Sequence, residues 1–381
     1  MRRNRHTFLL FIGLLIFSGC HQKQGKVDRA FENGVEVVIN HLEPYKIGPA
    51  NSFDLEEAYK IDTEKDDLAP LGIVYIQGFD VDSAGELFIL RSFTGQGDFL
   101  FKFDRYGKFV KSFGTRGEGP GELQLPFHIF LDVEENIGIF DRGRHPLNKY
   151  NRDGSFIQSS DLLRNAMKVT PGPGKSWLIL ENSHDPARDF NLFALKLLNS
   201  SLKEIKTIDT YGFKMEPKKL NAIEPIFCWS SSRDYLYVAN ENRGYEIWVS
   251  DLNGKLIRTL RKEYKKIPIS ENDKKEILSS YPPNMRSYAF FNFPEYFPPI
   301  RSLVARDDGM LLVSTFEKGE NPGDLIYDIF NAEGVFVERK SLNAYVWENH
   351  LWARLKGNKL YCLRKKDSGY MELVVYNMKT L

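Results

Sequence analysis

The chain has 381 residues, 42% of them hydrophobic and 13% aromatic, which is enough apolar material for a packed core. Its 52 basic and 51 acidic residues give a formal net charge of +1. This balance argues against a nucleic-acid-binding protein, because such proteins carry a basic excess on some face. Length alone permits two domains, but a closed ring of β-sheets commonly uses a chain of this length as one.

The first residues have the pattern of a targeting segment. Residues 2–6 contain three Arg and one His, and residues 8–17 form an apolar run that is too short to span a bilayer. We therefore assign residues 1–19 to a signal peptide. The string Phe17-Ser-Gly-Cys20 that follows resembles the lipobox of bacterial lipoproteins, in which the Cys becomes the lipidated first residue. The alternative is an ordinary secretory signal with an incidental Cys.

Lipidation of Cys20 predicts attachment to a membrane in the cell envelope. Residues 20–34 are mostly polar and are expected to serve as a tether. His21 is not an Asp, so the simplest retention signal for the inner membrane is missing, and we expect the outer membrane.

A hairpin pattern recurs along the rest of the chain. Each copy has two runs that alternate apolar and polar residues, separated by a turn in which Gly follows Asp or Asn by three residues. Copies occur at Phe101–Val110, Asn148–Ile157, Ile247–Ile257 and Ile326–Val337. The 47 residues from Gly107 to Gly154 match the length of one four-stranded propeller blade.

A second kind of hairpin precedes each of these. It occurs at Gly78–Leu90, Ile129–Asp141, Cys228–Val238, Leu303–Val313 and Trp352–Cys362, and a degenerate blade pairs 167–180 with 192–205. The sequence thus predicts an all-β fold, a six-bladed β-propeller of four-stranded antiparallel blades over residues 35–381. Because Val35–Ile39 alternates and is β-branched, we expect it to close the ring against residues 351–378.

An insertion separates blades four and five, at residues 267–299. Ser270 to Asp273 are followed by residues typical of a short N-capped helix, and a stretch rich in Tyr, Phe and Pro comes next. Tyr288, Phe291 and Tyr296 of this stretch are candidates for stacking on a sugar or a peptide side chain. The alternative is that the aromatic residues cover the edges of blades four and five.

A Gly-rich loop joins blades one and two, with the sequence Gly-Thr-Arg-Gly-Glu-Gly-Pro-Gly-Glu-Leu at residues 114–123. No Gly-Lys-Ser/Thr follows, so it is not a phosphate-binding loop. Arg116, Glu118 and Glu122 are candidate ligand-binding residues at the entrance of the central channel. The alternative is a purely structural connector, in which the glycines permit a left-handed backbone.

Together with the hairpin before it, this loop resembles that of the six-bladed β-propeller lipoproteins of gut Bacteroidetes, although Leu123 stands where that family often has an aromatic residue. The resemblance to NHL-repeat propellers is more distant. The resemblance to the lipoprotein family implies an exported six-bladed propeller and no agreed activity.

Signs of catalysis or of a metal site are weak. The sequence lacks Gly-x-Ser-x-Gly, His-Glu-x-x-His, Cys-x-x-Cys and Walker motifs. His128, His184 and His350 lie near the ends of predicted strands but match no ligand spacing, so we expect no metal and no cofactor. Turn aspartates could bind Ca²⁺, although capping of the turns is the simpler explanation; they are Asp82, Asp132, Asp141 and Asp307. Cys228 and Cys362 are either buried thiols or, in an oxidising compartment, a disulfide.

These observations predict a non-enzymatic, membrane-tethered propeller. We expect it to bind a ligand, such as a glycan or a peptide, or an envelope protein, on its channel face. Two alternatives stay open at this point. One is a lyase or hydrolase with its site at the central channel, and the other is a structural module of an envelope complex.

Overall fold

Six four-stranded antiparallel sheets form a ring in the computed structural model. The structure describes residues 25–45, 53–65, 67–92, 97–143, 146–161, 163, 165–186, 190–214, 219–223, 225–321, 323–342, 346–347, 350–351 and 353–380. The predicted signal peptide and Cys20 lie outside these residues. The prediction of a six-bladed propeller is confirmed.

In every blade the first strand lies nearest the axis and the fourth lies outermost. Blade 1 has Ile76–Val81, Leu87–Arg91, Leu100–Phe103 and Phe109–Phe113; blade 2 has Pro126–Leu131, Ile137–Asp141, Leu147–Tyr150 and Phe156–Ser160. Blade 3 has Ala166–Pro171, Trp177–Asp185, Phe190–Leu198 and Glu204–Lys214; blade 4 has Phe227–Ser231, Leu236–Asn240, Glu246–Ser250 and Leu256–Lys262. Blade 5 has Ser302–Ala305, Leu311–Lys318, Leu325–Phe330 and Phe336–Leu342; blade 6 has Ala353–Lys356, Lys359–Lys365, Met371–Thr380 and Phe53–Asp62.

The ring is closed by a strand from the N-terminal side, but not by the strand predicted from the sequence. Phe53–Asp62 pairs antiparallel with Met371–Thr380 and is the outermost strand of blade 6. The predicted closing strand, Val35–Ile39, instead pairs in parallel with residues 258–262 of blade 4. That prediction is therefore wrong in its choice of strand, because an alternating pattern identifies a strand but not the sheet edge to which it is added.

The residues before the closing strand form a hairpin. Val27–Glu32 and Val35–Asn40 pair antiparallel and extend blade 4 to six strands. The side chain of Asn40 joins this hairpin to blade 5, since its Nδ2 donates to the carbonyl of Gly334 at 3.1 Å and its Oδ1 accepts from the N–H of Phe336 at 2.8 Å. Residues 27–34, predicted as part of a tether, thus belong to the folded protein.

Antiparallel order within the blades sends two kinds of connection to opposite faces of the ring. Short turns join the first strand to the second and the third to the fourth, and we call their side the turn face. Segments that join one blade to the next lie on the other side, the connector face. On the turn face the predicted Asx–Gly turns are present: the Asp104 side chain accepts from the N–H groups of Tyr106 and Lys108, and Gly107 has φ of 82°.

The insertion between blades 4 and 5 spans residues 263–301 and lies on the connector face. Helix α1, Glu271–Ser279, begins with the predicted cap, in which Ser270 and Asp273 form a reciprocal capping box. Two short strands, Leu220–Asn221 and Phe291–Asn292, pair in parallel and attach the insertion to the connector before blade 4. The remaining short elements are the 3₁₀ turns Ala69–Leu71, Glu241–Arg243, Pro283–Met285 and Tyr288–Phe290, and the bridge of Val346–Trp347 with His350–Leu351.

Apolar side chains fill the spaces between neighbouring blades. In the described part of the chain each of six buried clusters joins two consecutive blades, and a seventh joins the insertion to the connector before blade 4. Cys228 and Cys362 are both buried free thiols, in the clusters between blades 4 and 5 and between blades 5 and 6. The core is therefore arranged around the axis, which leaves the innermost strands to line a central cavity.

Candidate functional site

A cavity of about 660 Å³ lies on the axis of the ring. The first strands of all six blades line it, so each blade contributes a few side chains to one shared space. Residues of the short turns also line it, among them Glu135, Pro173, Arg233 and Asp307. The cavity therefore extends to the turn face. Its volume is within the range of small-molecule sites.

Hydrogen bonds between the innermost strands fix the wall of this cavity. Asp80 of blade 1 accepts from the N–H of Leu131 in blade 2 at 2.8 Å and lies 3.4 Å from Nε of Arg354 in blade 6. Trp229 Nε1 of blade 4 donates to Thr170 Oγ1 of blade 3 at 3.0 Å. These bonds hold polar side chains in place before any ligand arrives.

Lys168 is the unusual side chain of the wall. It lies in the first strand of blade 3 between Met167 and Val169, and its Nζ is 4.5 Å from the centre of the Trp229 ring. Among the described residues it forms no ion pair, since no carboxylate oxygen lies within 4.0 Å of its Nζ. Enclosure by the cavity wall lowers the pKa of Lys168 to about 7, and the positive charge of Arg354 acts in the same direction.

Other potentially reactive groups of the cavity are engaged or inert. Burial raises the pKa of the Cys228 thiol to about 12, so the thiol stays protonated at neutral pH. Acidic groups near the turn face have cationic partners: Asp132 lies 2.7 Å from Lys149, Glu135 is 3.3 Å from Arg152, and Asp307 is 4.0 Å from Lys356. Lys168 is thus a cation inside the cavity that lacks such a partner.

Two of the three histidines considered as metal ligands have described side chains, His128 and His184. Within the described ranges no three His, Cys, Asp or Glu side chains are grouped so that they could hold a metal ion. His128 lines the cavity, whereas the ring of His184 lies 3.2 Å from the amide oxygen of Asn191 on the second hairpin of blade 3. The side chain of His350 lies outside the described residues.

Three of the four turn aspartates named as Ca²⁺ candidates accept backbone hydrogen bonds, and the fourth, Asp307, lies 4.0 Å from Lys356. Asp132 caps its own turn through the N–H groups of Glu134 and Asn136, and Asp82 accepts from the N–H of Glu86. Asp141 accepts from the N–H groups of Gln124, Leu125 and Gly143. Capping therefore accounts for these three residues.

None of the residues predicted to bind a ligand lines the cavity. The guanidinium of Arg116 lies over the ring of Phe99, Glu118 accepts from the side chain of Gln124, and Glu122 accepts from the N–H of Gly119 at 2.8 Å. Of the four loop glycines, Gly114 and Gly121 have left-handed φ of 73° and 76°, whereas a Cβ on Gly117 would lie 1.9 Å from the Glu122 carboxylate. The loop is thus a closely packed connector, and a ligand for its charged residues stays a prediction.

The three aromatic candidates of the insertion differ in exposure. Phe291 is buried in the small core of the insertion against Ala222 and Leu278. Tyr288 and Tyr296 are exposed on the connector face. Their role in stacking on a ligand also stays a prediction.

Sequence reasoning missed the residues that do meet in the cavity: Asp80, Lys168, Trp229 and Arg354. The available signal was a charged side chain inside the first strand of a blade, between apolar neighbours. Lys168 and Arg354 both have this pattern. Because the first strand faces the axis, a charge at that position is directed at the cavity.

Comparisons with known proteins support the fold and leave the activity open. A family model described as a six-bladed β-propeller matches residues 73–224, which include blades 1 to 3. No curated protein sequence matches the chain. Within the described residues, no helix has both the length and the apolar character needed to cross a membrane.

Solved structures resemble the chain over most of its length. A Bacteroides fragilis protein described as exported has a TM-score of 0.50 at 12% identity, covering 90% of this chain and 99% of that chain. A member of the DUF4221 family from Bacteroides vulgatus has 0.49 at 11%, covering 87% and 100%, and virginiamycin B lyase from Staphylococcus aureus has 0.44 at 10%, covering 86% and 99%. At these identities the likeness shows the fold alone, which for this chain is the six-bladed β-propeller.

Proposed function

We propose that the protein is a lipid-anchored, non-enzymatic propeller that binds a small anionic ligand in its central cavity. The observation that carries the ligand class is Lys168, an enclosed amine without a carboxylate partner. Lys168 is half-buried in the cavity wall, where its charge has less contact with water, so an incoming carboxylate would stabilise the protonated amine. The lipid anchor is proposed from the Phe17-Ser-Gly-Cys20 string alone.

Arg354 would take part in the same interaction. Its Nε faces Asp80 and its Nη1 donates to the carbonyl of Ala353 at 3.0 Å, which holds the guanidinium in one orientation. A positioned guanidinium favours a planar anion such as a carboxylate. The apolar walls of Phe127 and Trp229 would contact the rest of the ligand. An acidic sugar or the C-terminus of a peptide has this combination of groups.

The competing function is a lyase that uses Lys168 as a general base. The lowered pKa of Lys168 favours it, because an amine that is half-deprotonated near neutral pH can remove a proton. The two functions differ in the fate of the ligand. A binding protein releases it unchanged, whereas a lyase releases two products.

The test is a thermal-shift and calorimetric screen at pH 6 with matched probe pairs: galacturonate against galactose, and an acetylated dipeptide acid against its amide. Variants are Lys168→Met, which removes the charge with little change of volume, and Lys108→Met, which removes one charge on a turn of blade 1 outside the cavity.

We expect an acidic probe to bind the wild type and Lys108→Met alike, and Lys168→Met more weakly by about tenfold, or 1.4 kcal/mol. Equal affinity for acidic and neutral probes, or for the two variants, would contradict the anion site. Mass spectrometry of the recovered probe separates binding from cleavage.

The anchor has its own test: Cys20→Ala should leave the membrane fraction or stay unprocessed, and unchanged fractionation would contradict lipidation.

A further inference from the structure

The start of the folded chain lies on the connector face. Val35–Asn40 runs parallel to Leu256–Lys262, the fourth strand of blade 4, and therefore ends on the same side as that strand, where the insertion begins. Val27–Glu32 is antiparallel to Val35–Asn40, so Val27 also lies on this side. The N–H of Gly25 donates to the carbonyl of Pro44 at 3.2 Å, which fixes the chain from residue 25 onward.

A lipid on Cys20 would leave a very short connection. The five Cα–Cα steps from Cys20 to Gly25 reach at most about 18 Å when fully extended. The tether predicted from the sequence, which continued to residue 34, would have reached about 50 Å. The connector face would therefore be held within about 18 Å of the bilayer.

The root of the insertion lies beside this point of attachment. The N–H of Glu263 donates to the carbonyl of Asn40 at 2.9 Å. The ring of His41 bridges the two segments, with Nδ1 3.1 Å from Glu263 and Nε2 2.9 Å from Asp28. The insertion thus begins where the tether would arrive.

The surface of the insertion exposes several aromatic side chains. Four of them are exposed, namely Tyr264, Tyr288, Phe290 and Tyr296, and Leu42 is exposed beside its root. Exposed charges of both signs accompany them: Lys265, Lys266, Lys275 and Arg286, and Glu263, Glu271, Glu276 and Glu295. Aromatic side chains favour the headgroup level of a bilayer, so these residues carry the argument for contact with lipid.

We propose that this exposed surface of residues 264–296, the insertion surface, rests on the lipid bilayer and thereby turns the turn-face end of the central cavity away from the membrane. The proposal rests on the lipid anchor proposed above. It fits the opposite placement of the two features, since the cavity reaches the turn face and the insertion lies on the connector face.

The test uses the mature, full-length lipoprotein in vesicles of phosphatidylethanolamine and phosphatidylglycerol that contain a nitroxide-labelled lipid. An NBD fluorophore is attached at Phe290→Cys on the insertion surface or, as the matched control, at Tyr106→Cys on the turn face; both native side chains are exposed. Cys228 and Cys362 are buried, and unsubstituted protein measures their background labelling. Vesicle flotation is measured on the same samples.

We expect the protein to float with the vesicles and about half of the emission at 290 to be quenched, because interfacial side chains lie about 5–10 Å into the acyl boundary. Emission at 106 should be unchanged. Adding about twenty Gly/Ser residues between residues 24 and 25 should lower quenching at 290, since a chain of that length spans about 25 Å.

Two results would overturn the proposal, and they differ from each other. Flotation with equal quenching at the two positions would mean that the anchor exists but the insertion surface does not rest on the lipid. Absence of flotation would mean that the anchor itself is missing, and the orientation would fall with it.

Discussion

At the scale of single residues, Lys168 shows how a ring of blades changes the chemistry of an ordinary side chain. An amine on an exposed strand would keep its usual pKa, but the walls of the cavity and the charge of Arg354 disfavour the protonated form of Lys168. The resulting pKa of about 7 gives the protein a titration close to neutral pH.

We predict a pH-dependent effect of Lys168→Met on stability. Below about pH 7 the amine is protonated in both the folded and the unfolded chain, so its burial cost is fully present. Between that pH and the unfolded value of about 10.4, only the unfolded chain holds the extra proton, and the wild type gains stability as the pH rises. Urea unfolding at pH 6 and pH 9 should therefore show Lys168→Met stabilised over wild type more at pH 6. An equal difference at both pH values would contradict the lowered pKa.

Two turn glycines allow a prediction about the free energy of unfolding of alanine variants. Gly154 has φ of 84°, and an added Cβ would lie 2.8 Å from the ring of Phe113 in the neighbouring blade. Gly369 has φ of 88° with nothing within 4 Å of that position. We expect Gly369→Ala to lower the free energy of unfolding by about 1–2 kcal/mol through backbone strain alone. Gly154→Ala should lower it by more, and equal losses in chemical denaturation would mean that the contact with Phe113 is not limiting.

The turn glycines and Lys168 also differ in how far the sequence could predict their structural environment. The Asx–Gly turns are local, because the side chain of Asp104 and the φ of Gly107 act within one hairpin, and the sequence predicts them. The environment of Lys168 comes from strands that are distant in sequence, such as those holding Trp229 and Arg354. No local pattern contains that information.

At the scale of elements, a buried charged group joins blades 4 and 5. Asp328 accepts from the hydroxyl of Tyr245 at 2.8 Å and from Nε of Arg339 at 2.9 Å, and it lies 3.4 Å from Nζ of Lys262. Its side chain is 1% exposed. Burial lowers the pKa of Lys262, and this carboxylate opposes that shift by favouring the protonated amine.

We predict that Asp328→Asn destabilises the protein strongly, by about 3–5 kcal/mol, because it leaves a buried cation without its partner. Asp308→Asn is the control, since Asp308 is 56% exposed where it pairs with Arg306. Exposed pairs contribute about 0–1 kcal/mol. Thermal unfolding of both variants would decide the matter, and similar losses would show that the charged group between the blades is not important for stability.

For the hairpin at residues 27–40, the sequence predicts a strand but not the blade with which that strand pairs. Its second strand is recognisable from the alternation of Val35–Ile39, but the outer edge of any blade could accept such a strand. The choice of blade 4 depends on contacts across the fold, among them those of Asn40 with Gly334 and Phe336. The insertion was predictable as an element, whereas its attachment through Leu220–Asn221 was not.

At the scale of the whole molecule, the two N-terminal elements have separate roles. Phe53–Asp62 closes the ring, whereas the hairpin covers the outer edge of blade 4 and is bonded through Asn40 to blade 5. We predict that a chain starting at residue 46 still folds to a closed ring that unfolds cooperatively at a lower temperature. A chain starting at residue 64 should expose the edge of residues 371–380 and aggregate. Circular dichroism and size-exclusion chromatography would test this. If the chain starting at residue 64 were monomeric and unfolded cooperatively, the prediction would be contradicted.

Closure by Phe53–Asp62 also sets the order of events during synthesis. Its partner strand is made of the last residues of the chain, so the earliest strand of the ring must wait for the latest one. Contacts this distant in sequence form slowly, because a long loop must be ordered first. A ring built in this way stays open until residues 371–380 have emerged. On the proposed route of export, that delay would keep the chain competent to cross the membrane unfolded, and this strand would close the ring only on the far side.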